Sequence, residues 1–330
     1  MAVAEPLPWQ AAAWARLGER IREGTLPHAL LLTGLPGLGK RRLAVSLGAA
    51  LLCEKRGDST SACGECRSCR LVAQGAHPDF FLVEPEEEGK QIRIDQVRTL
   101  IDRLSLRSQY GRYRIGLIAP ADRMNTAAAN ALLKTLEEPP SGAVLLLTAA
   151  RPARLPATVR SRCQQLALQP PPAPVAQEWL RAQGVPGAQE ALGLALGAPL
   201  RAIELHQSGA VERWRKMLST MEQLRAERIG VVAAAAEWRE TGIDVIPMLL
   251  AICADLARLA AGGAVRYGDP ERLRPLVAGL DLQRLHDYVE QLLEQRRHLD
   301  HSLNEQLLLE SAFAGWQAAA GKARPTGAQA

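Results

Sequence analysis

His28-Ala-Leu-Leu-Leu-Thr33 runs directly into Gly34-Leu-Pro-Gly-Leu-Gly39-Lys40, and this junction decides the fold. The apolar run has the length of a buried strand. From Lys40 to about Leu52, Leu43, Leu47 and Leu51 recur at i, i+4 and i+8, which is one face of a helix. A strand, a glycine-rich turn and a helix in succession form the context of a phosphate-binding P-loop. Backbone N–H groups at Gly34, Gly37 and Gly39 and the helix N-terminus can cradle phosphate oxygens, and Lys40 adds a positive charge.

The motif departs from a working nucleotide site at its next position. A hydrolytic P-loop places Ser or Thr after the lysine to hold Mg²⁺, and here Arg41 stands there, a cation where a cation should bind. The strand Arg114-Ile-Gly-Leu-Ile-Ala119 should end in acids that hold the metal and orient water. It ends in Ala119-Pro120-Ala121, and Asp122 comes too late to point from the strand terminus. The loop is therefore expected to be a degenerate site, open at most to ATP or ADP without hydrolysis.

Working outward, Asp79-Phe-Phe-Leu-Val83, Ala143-Val-Leu-Leu-Leu-Thr148 and Gln165-Leu-Ala-Leu168 read as further strands. Asp95 is placed to cap a helix striped by Val97, Leu100, Ile101 and Leu104, and Thr126 to Glu138 reads as a helix stopped by Pro139-Pro140. Short strands alternating with helices predict an α/β fold with a parallel five-stranded sheet. A proline-rich hinge at Gln169–Pro174 closes this part, and the rest reads as helical. The expected division is 1–168, 169–208 and 209–330, ending in a frayed tail from Gly321.

Composition sets outer bounds. The 330 residues are 47% hydrophobic and 23% charged, as in globular proteins, and carry a formal net charge of +5. That excess permits contact with nucleic acid without demanding it. Arg98, Arg103, Arg107, Arg112 and Arg114 cluster in and after one helix, as a phosphate-tracking face or simply a solvated one. The longest apolar run, Val245 to Ala254, is too short to span a bilayer, and the N-terminus lacks the basic start and apolar core of a secretory signal. A cytoplasmic protein with no membrane partner is expected.

Four of the six cysteines, Cys53, Cys63, Cys66 and Cys69, fall within one short stretch. Cys63-Gly-Glu-Cys-Arg-Ser-Cys69 packs three thiols into a tight turn, and Cys53 ends the helix after the P-loop. Four thiolates at this spacing suit tetrahedral, structural Zn²⁺; an iron–sulfur cluster would want a further Cys downstream.

A P-loop followed by a four-cysteine insertion resembles the clamp-loader branch of the AAA+ ATPases. Asn130-Ala-Leu-Leu-Lys-Thr-Leu-Glu-Glu-Pro-Pro140, Ser161-Arg162-Cys163 and Ala76-His77-Pro78-Asp79 carry the likeness. The altered P-loop and the missing acids are similar to those of the non-motor stator subunit of the bacterial DNA polymerase III loader. The motor subunits, gamma and tau, normally keep both.

The resemblance implies a RecA-like AAA+ domain with the zinc module, a helical lid, and a collar that joins a ring of five subunits. It implies delta and gamma/tau subunits as neighbours, the sliding clamp and primed DNA as partners within the complex, and a place at the replisome. The chain would be a component of the polymerase holoenzyme without intrinsic ATPase. Arg162 would be an arginine finger completing the ATP site of an adjoining motor subunit. Arg201, Thr148 and Lys134 correspond to the second sensor, the first sensor region and the coupling helix. An active gamma/tau-like ATPase is the alternative, and a P-loop nucleotide kinase is a more distant one that leaves the cysteines and the helical half unexplained.

Overall fold

The computed structural model describes residues 5–57, 59–87, 89–110, 113–240, 245–266, 269–297 and 304–321; Arg112, the 322–330 tail and the start of the helix expected at Ser302 lie outside them. The chain forms two compact units that divide at Pro171/Pro172.

The first unit is built on five strands, of which the central three are too apolar to face water on either side. In chain order its elements are α1 (Ala11–Glu23), β1 (Ala29–Thr33), α2 (Lys40–Leu52), α3 (Arg67–Gln74), β2 (Phe80–Val83), α4 (Ile94–Ser105), β3 (Arg114–Ile118), α5 (Thr126–Ala131), α6 (Leu133–Glu137), β4 (Ala143–Ala149), α7 (Ala157–Arg160) and β5 (Gln164–Ala167). The sheet order is β2-β3-β4-β1-β5, and every pair is parallel. β1, β3 and β4 are buried along their whole length, as central parallel strands must be when helices cover both faces. At one edge β5 buries only Leu166.

Three local expectations shift. β5 pairs Leu30 with Gln164, so it starts one residue before the predicted run, and Leu168 closes it with a bond from its N–H to Thr33 O (2.8 Å). Asp95 does not cap α4. The helix begins at Ile94, and Gln96 accepts the Arg93 N–H (2.9 Å), leaving Asp95 in the first turn. The helix predicted over 126–138 breaks at Leu132, whose N–H tightens onto Ala129 O (3.3 Å). The predicted stripe holds: Val97, Leu100 and Leu104 are buried against Leu132, Leu136, Leu145 and Leu147.

The second unit is all helical: α8 (Ala173–Ala182), α9 (Ala188–Leu194), α10 (Pro199–Gln207), α11 (Ala210–Arg225), α12 (Val231–Arg239), α13 (Val245–Ala260), α14 (Pro270–Val277), α15 (Leu282–Arg297) and α16 (Glu305–Ala320). A small apolar cluster on α8–α10 centres on Ala176, Leu180 and Ala191, and a larger one on α11–α16 centres on Trp214, Trp238, Phe313 and Trp316. Leu194 packs against both. Two of the buried indoles are satisfied, Trp238 donating to Thr220 Oγ1 (3.1 Å) and Trp316 to Met221 O (2.9 Å), whereas Trp214 Nε1 is buried without a hydrogen-bond partner. Buried Arg225 donates to the carbonyls of Pro275 (3.1 Å), Leu276 (3.0 Å) and Ala278, placing a guanidinium at the C-terminal end of α14, where the helix dipole favours it. Among the described residues no helix is long and apolar enough to cross a membrane.

A buried polar relay ties α3 to the sheet. The Asp79 N–H donates to His77 Nδ1 (3.0 Å), so the other ring nitrogen carries the proton and donates to Ser68 Oγ at 2.6 Å. Burial holds the His77 pKa below its usual 6.5, with Asp79 and Glu54 pulling the other way. The unfolded chain therefore binds a proton that the folded chain refuses, and this contribution to stability is complete above the unfolded pKa and lost as pH falls below it. Two outcomes follow for His77→Gln. At neutral pH it leaves the Asp79 N–H unpaired and costs about 1–3 kcal/mol. Between pH 7 and pH 5 its melting temperature falls less steeply than that of the parent chain, as thermal unfolding across that range will read.

Candidate functional site

The glycine-rich turn between β1 and α2 has the backbone its sequence calls for. Gly34, Gly37 and Gly39 all have positive φ (135°, 81° and 80°), and a Cβ at Gly34 would meet Leu168 O at 2.4 Å, so only glycine fits. The turn is tied down from the N-terminal side, which the sequence reading missed. Buried Gln10 donates to Leu38 O (2.9 Å) and Gly39 O (3.0 Å), and Trp9 Nε1 donates to Leu38 O (3.1 Å).

Lys40 is only 8% exposed, and its ammonium is turned onto the loop itself. Nζ donates to Gly34 O (2.7 Å) and Leu35 O (2.8 Å). Burial pulls its pKa down to about 8, partly offset by the negative charge of Asp122. Asp122, which follows the Ala119–Pro120 terminus of β3, thus reaches Lys40 electrostatically, although the sequence placed it too far along to matter. Its Oδ2 is committed to the N–H groups of Ala150 (3.2 Å) and Arg151 (2.8 Å) just beyond β4, while Oδ1 is buried without a hydrogen-bond partner.

Arg41 occupies the position of the metal-holding hydroxyl and is fully engaged. Nε and Nη2 donate to the two carboxylate oxygens of Glu84 at 2.6 and 3.0 Å, a bidentate pair beside the end of β2. The loop thus combines positive-φ glycines and a buried lysine with an arginine–glutamate pair.

Arg162 lies just past α7. Its Nη1 donates to Thr158 O (2.9 Å), and its Nη2 pairs with Glu137 Oε1 at 2.5 Å, at the end of α6. Its side chain is 35% exposed, whereas Arg160 has a buried Nε without a partner. Thr148 is buried in β4, and Lys134 is exposed on α6. Arg201 pairs with Glu204 (2.8 Å) on α10 in the second unit. Arg114 leaves the cationic face read from the sequence: it is 4% exposed, 3.4 Å from Asp79 Oδ1, with its guanidinium over the Phe81 ring.

The four cysteines converge as the spacing predicts, with all four Sγ atoms within 4.8 Å of one another. Cys53 and Cys66 are 4.0 Å apart, and Cys63 and Cys69 are 3.9 Å apart. A tetrahedral ion with Zn–S bonds of about 2.3 Å has edges of about 3.8 Å, so the donor set fits. Backbone N–H groups point at three of the sulfurs: Cys63 at Cys53, Cys66 at Cys63 and Cys69 at Cys66, at 3.3–3.4 Å. Those at Cys66 and Glu65 draw the Cys63 thiol down to about 6, while burial pushes Cys69 up. Glu54 orders the module further by accepting the Ser68 N–H (3.2 Å). Cys163 and Cys253 are buried apart from the cluster.

Comparison with known proteins agrees with this geometry. The family model described as "DNA polymerase III, delta subunit" matches residues 9–172. The DNA polymerase III subunit delta' of Pseudomonas aeruginosa is 41% identical over 249 residues, 74% of this chain and 74% of that protein. The delta' subunit of Yersinia pestis is 34% identical over 329 residues, 94% and 95% of the two chains. The tau/gamma subunit of Haemophilus influenzae is 34% identical over 152 residues, 46% of this chain and 22% of that protein. With a parallel sheet of AAA+ order, a P-loop and a four-cysteine cluster now seen together, the chain belongs to the family of DNA polymerase III delta' subunits.

Proposed function

We propose that the chain is the stator of a clamp loader: an interaction subunit that helps place the sliding clamp on primed DNA while a neighbouring subunit hydrolyses ATP. The observation that carries this reading is the Arg41–Glu84 pair, which fills the position where a P-loop holds Mg²⁺. The neutral Ala119-Pro120 that follows Ile118 at the end of β3 supports it, since no acid stands at the strand terminus to hold a metal or orient water. Gly34, Gly37, Gly39 and Lys40 then form a degenerate phosphate loop in which ATP or ADP is at most held.

In this reading Arg162 acts in trans. A planar guanidinium beside a γ-phosphate spreads positive charge over the transition-state oxygens, and Glu137 and Thr158 O hold Arg162 in one orientation until a partner's phosphate competes for it. The proposed partners are the delta and gamma/tau subunits in a five-membered ring, with residues 169–208 as lid and 209–330 as collar, which is what the family resemblance implies.

Cys53, Cys63, Cys66 and Cys69 would hold Zn²⁺. The bound ion would cross-link four thiolates and offer no open position for a reactive water. The module is therefore structural, and ligand deprotonation makes its affinity depend on pH.

Three measurements test these assignments. The purified chain shows no Mg²⁺-dependent ATP turnover; robust turnover by the chain alone overturns the stator reading. Arg162→Ala leaves the loader assembled but lowers ATP turnover at the adjoining motor site by about 10³-fold or more, the scale of other trans fingers; unchanged turnover removes the finger assignment. Elemental analysis finds one zinc per chain, and its removal by a chelator lowers the melting temperature of the first unit. Cys66→Ser reproduces both effects.

A further inference from the structure

β2 lies at one edge of the sheet, and its backbone can be followed group by group. The Ile115 N–H donates to Asp79 O (2.8 Å) and the Ala119 N–H to Val83 O (3.0 Å). In a parallel pair alternate residues turn both backbone groups to the same neighbour. Asp79, Phe81 and Val83 therefore serve β3, and Phe80, Leu82 and Glu84 face away from it. The fold occupies the two ends of that outer row. The Phe80 N–H donates to His77 O (3.1 Å), and Gln96 Nε2 donates to Glu84 O (2.9 Å). Between them the Phe80 C=O, both backbone groups of Leu82 and the Glu84 N–H point outward along the edge. A groove of about 560 Å³ runs beside them, walled also by Gly75 at the end of α3 and by Thr99 and Arg103 of α4.

The two sides of this groove differ in chemistry. Phe80 packs toward α2, where a Cβ on Gly48 would meet its ring at 2.4 Å, whereas Phe81 packs toward α4 with Leu100. Leu82 alternates onto the Phe80 side and is half-buried, so that side is apolar. On the α4 side stands Arg103, exposed, with its guanidinium 5.4 Å from the Phe81 ring centroid. A guanidinium laid against a ring keeps its N–H edge for a carboxylate. Among the described residues Arg103 has no ion pair, while Glu84, the other charged residue lining the groove, is already held by Arg41. The strand itself, Phe80-Phe-Leu-Val83, has none of the lysines or prolines that blunt an exposed edge.

We propose that the β2 edge is a docking site for an extended acidic peptide segment of a partner protein, which adds to the sheet as a sixth strand. Its backbone pairs with the Phe80 C=O, the Leu82 N–H and C=O and the Glu84 N–H. One carboxylate binds Arg103, and the residues flanking that acid alternate to the other face and set apolar side chains beside Leu82. A second copy of this chain, pairing edge to edge, brings Glu84 as the acid of its own edge, and Arg41 already holds it. The proposal does not rest on the stator reading, because it uses the Glu84 backbone and leaves the Arg41–Glu84 side-chain pair as it is.

The test pans the full chain against a phage-displayed library of random ten-residue peptides. Selected peptides are then made with a fluorescein label and titrated by anisotropy. They are expected to share an acid flanked by apolar residues. Leu82→Pro removes the outward N–H while sparing every bond to β3, a change that an edge strand tolerates. It is expected to weaken binding about tenfold or more, as for a hydrogen bond left unmet. Arg103→Glu weakens binding of the acidic peptides and favours the same peptides with lysine in place of the acid. The melting temperature of each variant separates loss of the site from loss of the fold. If Leu82→Pro does not fold, Arg103→Glu, whose side chain is exposed, decides through that exchange of charge. Selection of no acid-bearing peptide overturns the proposal, as does equal binding of the selected peptides by the parent and both variants. A concentration-dependent dimer of the parent that Leu82→Pro abolishes, read by sedimentation, overturns it in favour of a second copy at this edge.

Discussion

One carboxylate organises the first unit around the edge of its sheet. Asp79 is fully buried and collects the Ser108 hydroxyl, the Gln109 and Tyr110 N–H groups and the Arg114 guanidinium, while its own N–H fixes the tautomer of His77. Removing a carboxylate from water costs several kcal/mol unless its lone pairs are filled, and here they are. The arrangement makes three segments depend on one another. His77 reaches the cysteine module through Ser68, Arg114 begins the strand paired with β2, and the segment 108–110 is pinned from beneath. A four-cysteine insertion that makes little core of its own is thereby anchored to the sheet.

At the phosphate loop the same kind of bookkeeping explains what is retained and what is lost. A hydroxyl after the lysine contributes one weak ligand and no charge, so a divalent ion between it and the β-phosphate is held mainly by charge. Arg41 reverses the sign of that position, and its bidentate bond to Glu84 occupies the acid that lies nearest to it at the end of β2. Because the pair is half exposed, its net contribution to stability is small, about 0–1 kcal/mol. In the proposed stator reading its consequence is exclusion, since a metal entering there would displace a guanidinium from a carboxylate and meet its charge.

Much of this was legible in the sequence. β1, β3 and β4 are long apolar runs that can only be central parallel strands, and the 63–69 cysteine spacing allows little besides a metal cluster. Arg41 and Ala119-Pro120 could be read directly as absences. What could not be read depends on the third dimension. Glu84 and Glu137 are ordinary surface acids until the fold brings them to Arg41 and Arg162. Arg114 looked like one more member of a cationic helix face because sequence spacing cannot show that a strand start is buried against an acid 35 residues earlier. Gln10, far upstream, carried no signal that it closes the loop. Aromatic residues are only 4% of the chain, yet Trp214, Trp238 and Trp316 come together in the larger helical cluster, a concentration that composition averaged over the chain conceals.

Lys40 invites a reason for its place that does not depend on a phosphate. The geometry supplies one. Its ammonium bridges the carbonyls of Gly34 and Leu35, which would otherwise face inward unpaired across a turn of positive-φ glycines. Burial makes that charge costly, as its lowered pKa records, and Asp122 offsets part of the cost from across the site. A neutral side chain of similar length would avoid the desolvation but leave two partly buried carbonyls without their lysine donor. The lysine that serves a triphosphate in a hydrolytic loop can thus persist as a staple of the loop's own backbone, and its presence alone does not argue for turnover.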